Sequence, residues 1–137
     1  MNKPKLPAEM ICIVCPRGCR LRVSEEMNVT GNACPRGAAY AKTELTHPTR
    51  TVTSTVALSE SAIGRVPVKT SAPIPKEKIF DVMAEIQRCG AAAPVACGQV
   101  LIKNVLGLDA DVVATRTVKS QHESAKSSFQ SFAAPER

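Results

Sequence analysis

Four cysteines carry the chemistry this sequence offers. Cys12, Cys15 and Cys19 follow one another as C-x2-C-x3-C, and Cys34 comes after fourteen intervening residues. Thiolates are soft ligands that suit zinc and iron–sulfur centres. A cubane cluster needs four of them around one small body; a tight irregular loop can supply three and a returning segment the fourth. Structural zinc more often uses two separated pairs of cysteines, and here the second pair is incomplete. The spacing therefore points to one 4Fe–4S cluster held by Cys12, Cys15, Cys19 and Cys34, with structural zinc and redox-active thiols as the competing readings. A thioredoxin-like reading of Cys12-Ile-Val-Cys15 finds no strand–helix–strand pattern around it, and haem attachment would need a histidine where Pro16 stands.

The neighbours of these cysteines suit the task. Gly18 permits a sharp turn between Cys15 and Cys19, and Pro16 and Pro35 bias the cysteines before them toward extended backbone. Amides in such turns can donate to sulfur and tune a reduction potential. Arg17, Arg20, Arg22 and Arg36 lie within three residues of a ligand. Guanidinium groups there would offset the negative charge of four thiolates around a cluster; the plainer alternative is that they coat a solvated loop. Arg17, Gly18 and Arg36 are assigned to cofactor binding. Cys89 and Cys97 read as buried structural thiols, and the isolated His47 and His122 as surface residues.

The elements that must position these residues form three parts. Residues 10–50 are expected to make an iron–sulfur lobe, with a short hairpin from Leu21–Ser24 and Met27–Thr30 and a helix from Pro35 to Leu45. Residues 51–118 are expected to make an α+β lobe packed on it. There Thr51–Val56 alternates as a strand does, and Pro67 and Pro73 should interrupt any long element. Ile79, Val82, Met83 and Ile86 share one face of a helix from about Pro75 to Arg88, with Gly90 just past its end. Gln99–Val105 and Asp111–Val118 read as a hairpin around a Leu-Gly-Leu turn. Residues 119–137 are rich in Ser, Ala and charge without periodicity and are expected to be a disordered tail. The fold class is thus α+β, a small loop-rich lobe followed by a compact lobe with one main helix and short antiparallel strands.

Composition narrows the function. Leu, Ile, Val and Phe make 31 of 137 residues, enough for one folded core and too few residues overall for a multidomain catalyst. Aromatics are only 3% and Trp is absent, which argues against a base-stacking nucleic-acid binder. The net charge of +6 is spread without long basic runs, so neither nucleic acid nor an anionic membrane is the expected partner. No stretch approaches the length of a membrane span, and no signal sequence is recognised, so a cytoplasmic, thiol-reducing setting is expected. A glycine-rich dinucleotide fingerprint, a phosphate loop and a nucleophile beside a base are all missing from the sequence.

Two resemblances follow from the motifs. Cys12 to Cys19, then Gly31-Asn32-x-Cys34-x-Arg36-Gly37 and His47-Pro48-Thr49-Arg50, resemble the amino-terminal 4Fe–4S segment of molybdopterin oxidoreductases. Over about residues 10–118 the chain more closely resembles a small uncharacterised family with the signature C-x2-CPxGC, VTGN-x-C-x-RG, PVKT-x-x-PIPK and a terminal VVATR. These stand here as Cys12–Cys19, Val29–Gly37, Pro67–Thr70 with Pro73–Lys76, and Val112–Arg116. That family tends to be encoded beside flavoprotein dehydrogenases of the glycerol-3-phosphate dehydrogenase type. The resemblance implies a non-catalytic iron–sulfur electron-transfer subunit of a hetero-oligomeric flavin-dependent complex. A structural metal-binding or docking subunit without a redox role is the alternative.

Overall fold

The computed structural model describes residues 5–121, and it has the mixed α+β architecture the sequence implies. The tail assigned to 119–137 lies, from residue 122 onward, outside the described residues, as does His122. Among the described residues no helix is long and apolar enough to cross a membrane. The chain divides into two compact units, Met1–Thr49 and Arg50–Arg137.

The first unit is a three-stranded antiparallel sheet and one helix. Strand β1 (Ala8–Ile11) pairs with β2 (Arg20–Val23), setting Met10 opposite Leu21 and Ile11 opposite Arg20. In β2 the buried Leu21 and Val23 alternate with exposed Arg20 and Arg22, the period of a strand with one wet face. The expected hairpin is present: β2 pairs with β3 (Val29–Thr30), and Met27 donates to the Ser24 carbonyl at the turn. Helix α1 (Pro35–Thr46) starts where proline is best tolerated, with Pro35 in its first turn and Cys34 as its extended N-cap. The fully buried apolar set is small: Cys12, Leu21, Val23 and Ala41, with Met10, Cys19, Tyr40 and Leu45 among the half-buried groups around it. Strand β1 has no clear signature, because its alternation is only half-buried against exposed.

The second unit begins at the short strand β4 (Thr49–Arg50), which spans the division. Strands β5 (Thr53–Ser59) and β6 (Arg65–Thr70) form an antiparallel hairpin, with Val56 opposite Val66. Strand β7 (Ile74–Pro75) and a single 3-10 turn at Lys76–Lys78 lead into helix α2 (Ile79–Arg88). Val82 and Ile86 are fully buried and Ile79 and Met83 partly so, the face expected from their spacing, and the helix lies against β5. Strand β8 (Gly90–Ala92) then pairs parallel with β5, while β9 (Val100–Ile102) and β10 (Val112–Ala114) pair antiparallel. The five strands run in the order β8-β5-β6-β10-β9.

Three expectations are corrected. Strand β6 runs through Pro67, in the middle of the sheet. Its carbonyl accepts from the Thr115 amide at 2.9 Å, and a strand residue points its N–H and C=O to the same side, so the missing donor faces the end of β10 rather than β5. Gly90 is not a helix cap: α2 ends at Cys89 in extended backbone and Gly90 opens β8. The β9–β10 hairpin has three-residue strands, because Asn104, Leu106 and Asp109 adopt positive φ and the Asn104 side chain closes the loop on the Asp109 amide at 2.9 Å.

Candidate metal centre

The loop between β1 and β2 carries three thiols and the residue before α1 carries the fourth. Cys12 leaves β1 and its amide donates to the Cys19 carbonyl at 2.9 Å, so the loop's two end cysteines are tied together through backbone. The turn at Gly18 takes φ +62°, a conformation that a residue with a Cβ adopts only with strain. Cys34 returns to the same place because β3 pairs with β2 and the chain then passes very close to it. A Cβ on Gly31 would lie 2.1 Å from the Arg20 carbonyl oxygen. The Asn32 side chain donates to the Cys34 carbonyl at 3.0 Å and fixes the entry to α1.

All four cysteines line one cavity of about 130 Å³, together with Val14, Arg17, Ala33, Arg36 and Gly37. Cys12 is buried and the other three are half-buried. The structure thus brings together the four thiols and both arginines assigned to the cofactor, whereas Gly18 shapes the turn without lining the cavity. Among the described residues no group of three or more His, Cys, Asp or Glu side chains is arranged to hold a metal ion. Zinc would need every sulfur about 2.3 Å from one point. The four thiols line one cavity, and four soft donors on one cavity match, by ligand chemistry, either a zinc ion or an iron–sulfur cluster.

The electrostatics single out Cys34. Its thiol is held below the ordinary cysteine range, first by the backbone amide of Gly37, then by the Arg36 side chain and the Arg36 amide. The sulfur makes no regular capping hydrogen bond, so these donors act as polar neighbours at the first turn of α1 rather than as an ideal cap. Arg36 is correspondingly shifted up, by its contact with Cys34 and by the nearby Cys15 and Cys12. A lowered thiol favours the thiolate that binds metal. Val14, Ala33 and Gly37 were not among the expected site residues; for Gly37 the signal was Pro35, which marks the helix start and so places the Gly37 amide near the Cys34 side chain.

The remaining candidates lie elsewhere. Cys89 is half-buried at the end of α2 and packs against the larger core, while Cys97 is exposed, contrary to the expected pair of buried thiols. Cys97 sits in the connection before β9, its amide bonded to the Thr117 hydroxyl at 3.0 Å, so nothing requires its side chain to face inward. His47 is exposed at the end of α1, as expected.

Residues 35–116 match the model of a family described as a protein of unknown function, DUF1667. The match contains α1 and most of the second unit, and its first residue follows Cys34. No curated protein matches the chain. An NMR structure of the Clostridium perfringens protein CPE0013 is similar at 21% identity and a TM-score of 0.49, covering 65% of this chain and 95% of that one.

Proposed function

This chain belongs to the DUF1667 family, and from its cysteine geometry we propose that it is an iron–sulfur electron-transfer subunit of a flavin-dependent dehydrogenase complex. One observation carries the reading: four thiols from two separate segments line a single cavity, with two arginines beside them. Cys12, Cys15, Cys19 and Cys34 would hold a 4Fe–4S cluster, which supplies one-electron chemistry when bound. The chain's own residues do the rest. Arg17 and Arg36 would offset the charge of the thiolates, and the Gly37 amide, which donates to the Cys34 carbonyl at 3.1 Å, favours the Cys34 thiolate by its nearness. Cys15, Cys19 and Cys34 are themselves partly exposed, so the site reaches the surface. Substrate oxidation by hydride transfer needs a two-electron acceptor such as flavin, for which this sequence shows no binding fingerprint. The flavoprotein partner and the cytoplasmic setting rest on the motif resemblance and on cysteine usage.

Metal and acid-labile sulfide analysis of the anaerobically purified chain tests the proposal. About four irons and four sulfides per chain are expected, with a reversible redox titration. Colourless protein carrying stoichiometric zinc would end it. A second reading, a structural metal with no redox role, is favoured by the small buried core of the first unit, since units of this size commonly need a staple. A bound group that cannot be cycled reversibly would select that reading.

A further inference from the structure

Seven large apolar side chains are exposed among the described residues, and three of them cluster in the cysteine loop: Ile11 at 50%, Ile13 at 64% and Val14 at 44%. Such clustering marks an interaction site more often than scattered exposure does. The surrounding charge has one sign. Arg17, Arg20 and Arg36 are exposed there, and no Asp or Glu occurs from residue 10 to 24 or from 27 to 43. The nearest carboxylate in the strands, Glu9, is already engaged by Arg22 at 2.9 Å. Among the described residues neither Arg17 nor Arg20 has an acidic partner within the first unit. Ile11 is directly opposite Arg20 in the β1–β2 pairing, and Val14 shares the cysteine cavity with Arg17 and Arg36, so the apolar and basic groups are interleaved.

We propose that this loop is the docking face for an electron-exchanging protein whose own surface presents carboxylates around an apolar patch. The inference rests on the electron-transfer reading above and adds where the partner binds and what its surface must look like. Apolar contact supplies affinity, and opposite charge steers encounter and orientation. A second copy of this chain is the wrong occupant, because two faces of this kind would set arginine against arginine. Docking here brings the partner to the side of the chain where Val14 lines the thiol cavity. A cluster held by Cys12, Cys15, Cys19 and Cys34 would take one electron at a time from the partner's reduced flavin, the flavin giving up any accompanying proton to solvent.

The test uses the full chain with an acidic flavodoxin as probe, a basic cytochrome c as its opposite, and phosphatidylglycerol vesicles as a lipid control. Binding is read by NMR broadening of the Ile11, Ile13 and Val14 methyl signals. The expected result is flavodoxin binding that weakens with salt, broadening at those methyls, and a Kd raised about tenfold by combining Ile13→Ser with Arg20→Glu. One-electron reduction by reduced flavodoxin should slow in the same variant while its iron content matches that of the parent. Equal binding of flavodoxin and cytochrome c, vesicle binding without flavodoxin binding, or an unchanged Kd in the double variant would overturn the docking face. Flavodoxin binding at these methyls by protein that takes up no iron would support the face and remove the electron-transfer reading, so the two fail separately.

Discussion

Replacing Gly31 with alanine should disable the metal centre without touching a ligand. The residue has φ +84°, where a Cβ costs about 1 kcal/mol, and the new carbon would lie 2.1 Å from the Arg20 carbonyl oxygen, more than 1 Å inside ordinary contact. Neither backbone can yield locally. Arg20 is held opposite Ile11 in β1, and residues 29–30 are held to β2, so relief means parting the β2–β3 pairing at Arg22–Thr30 and Val23–Val29. Losing one or two of those hydrogen bonds adds about 1–3 kcal/mol. The total, about 2–4 kcal/mol, rivals the whole stability of a unit this size at roughly 0.1 kcal/mol per residue. Cys34, three residues on, would then lose its place beside the cysteine loop. Urea denaturation followed at Leu21 and Val23 by NMR, together with iron content after anaerobic purification, reads both effects. A variant within 0.5 kcal/mol of the parent and fully loaded with iron would refute the claim that this close approach positions Cys34.

Five further outcomes are expected. Cys34→Ala should abolish iron binding while Cys89→Ala leaves it near the parent level, read by iron analysis, because Cys34 lines the cavity with the other three thiols and Cys89 does not. In metal-free protein Cys34 should alkylate with iodoacetamide with a pH midpoint lower than that of the same cysteine in the urea-unfolded chain; Arg36→Ala should raise that midpoint only part of the way, since the Gly37 amide is the larger cause. Because the folded thiol is lowered, its contribution to stability is present above the unfolded cysteine's pKa and fades as pH falls through the lower folded one, which a pH series of denaturation midpoints with the metal removed would show. Thr70→Val should cost about 1–3 kcal/mol in denaturant unfolding, because Thr70 is buried and its hydroxyl accepts from the Val52 amide at 3.0 Å. Ile86→Ala, in the fully buried face of α2, should cost about 2–5 kcal/mol by the same measurement.

What the sequence made legible was local. The apolar spacing from Ile79 to Ile86 encodes a helix face whatever surrounds it, and Pro35 after Cys34 marks a helix start by backbone geometry alone. The cysteine spacing carried the four candidate ligands because three of them lie within one loop. The errors were non-local. Pro67 reads as a breaker until one knows that its nitrogen faces the end of β10, and Gly90 reads as a cap until β5 claims it as a parallel partner. Strand β1 is specified less by its own residues than by Leu21 and Val23 across from it. Cys97 is exposed in a connection whose backbone is held by Thr117, twenty residues away.

Pro67 also polices how the sheet is assembled. Sliding β10 by two residues along β6 would leave every side chain on its own face, so the pattern of buried valines at Val66, Val68, Val112 and Ala114 offers no objection to the error. The proline does object. In the native alignment the carbonyl opposite its missing hydrogen belongs to Thr115, an exposed residue past the end of β10. A two-residue slip in one of the two directions would put Val113 there instead, its carbonyl pressed against a nitrogen with nothing to give, at about 1–3 kcal/mol. A ring that weakens the strand by one hydrogen bond thereby makes misalignment costlier than the correct fit, a proofreading device written into one residue.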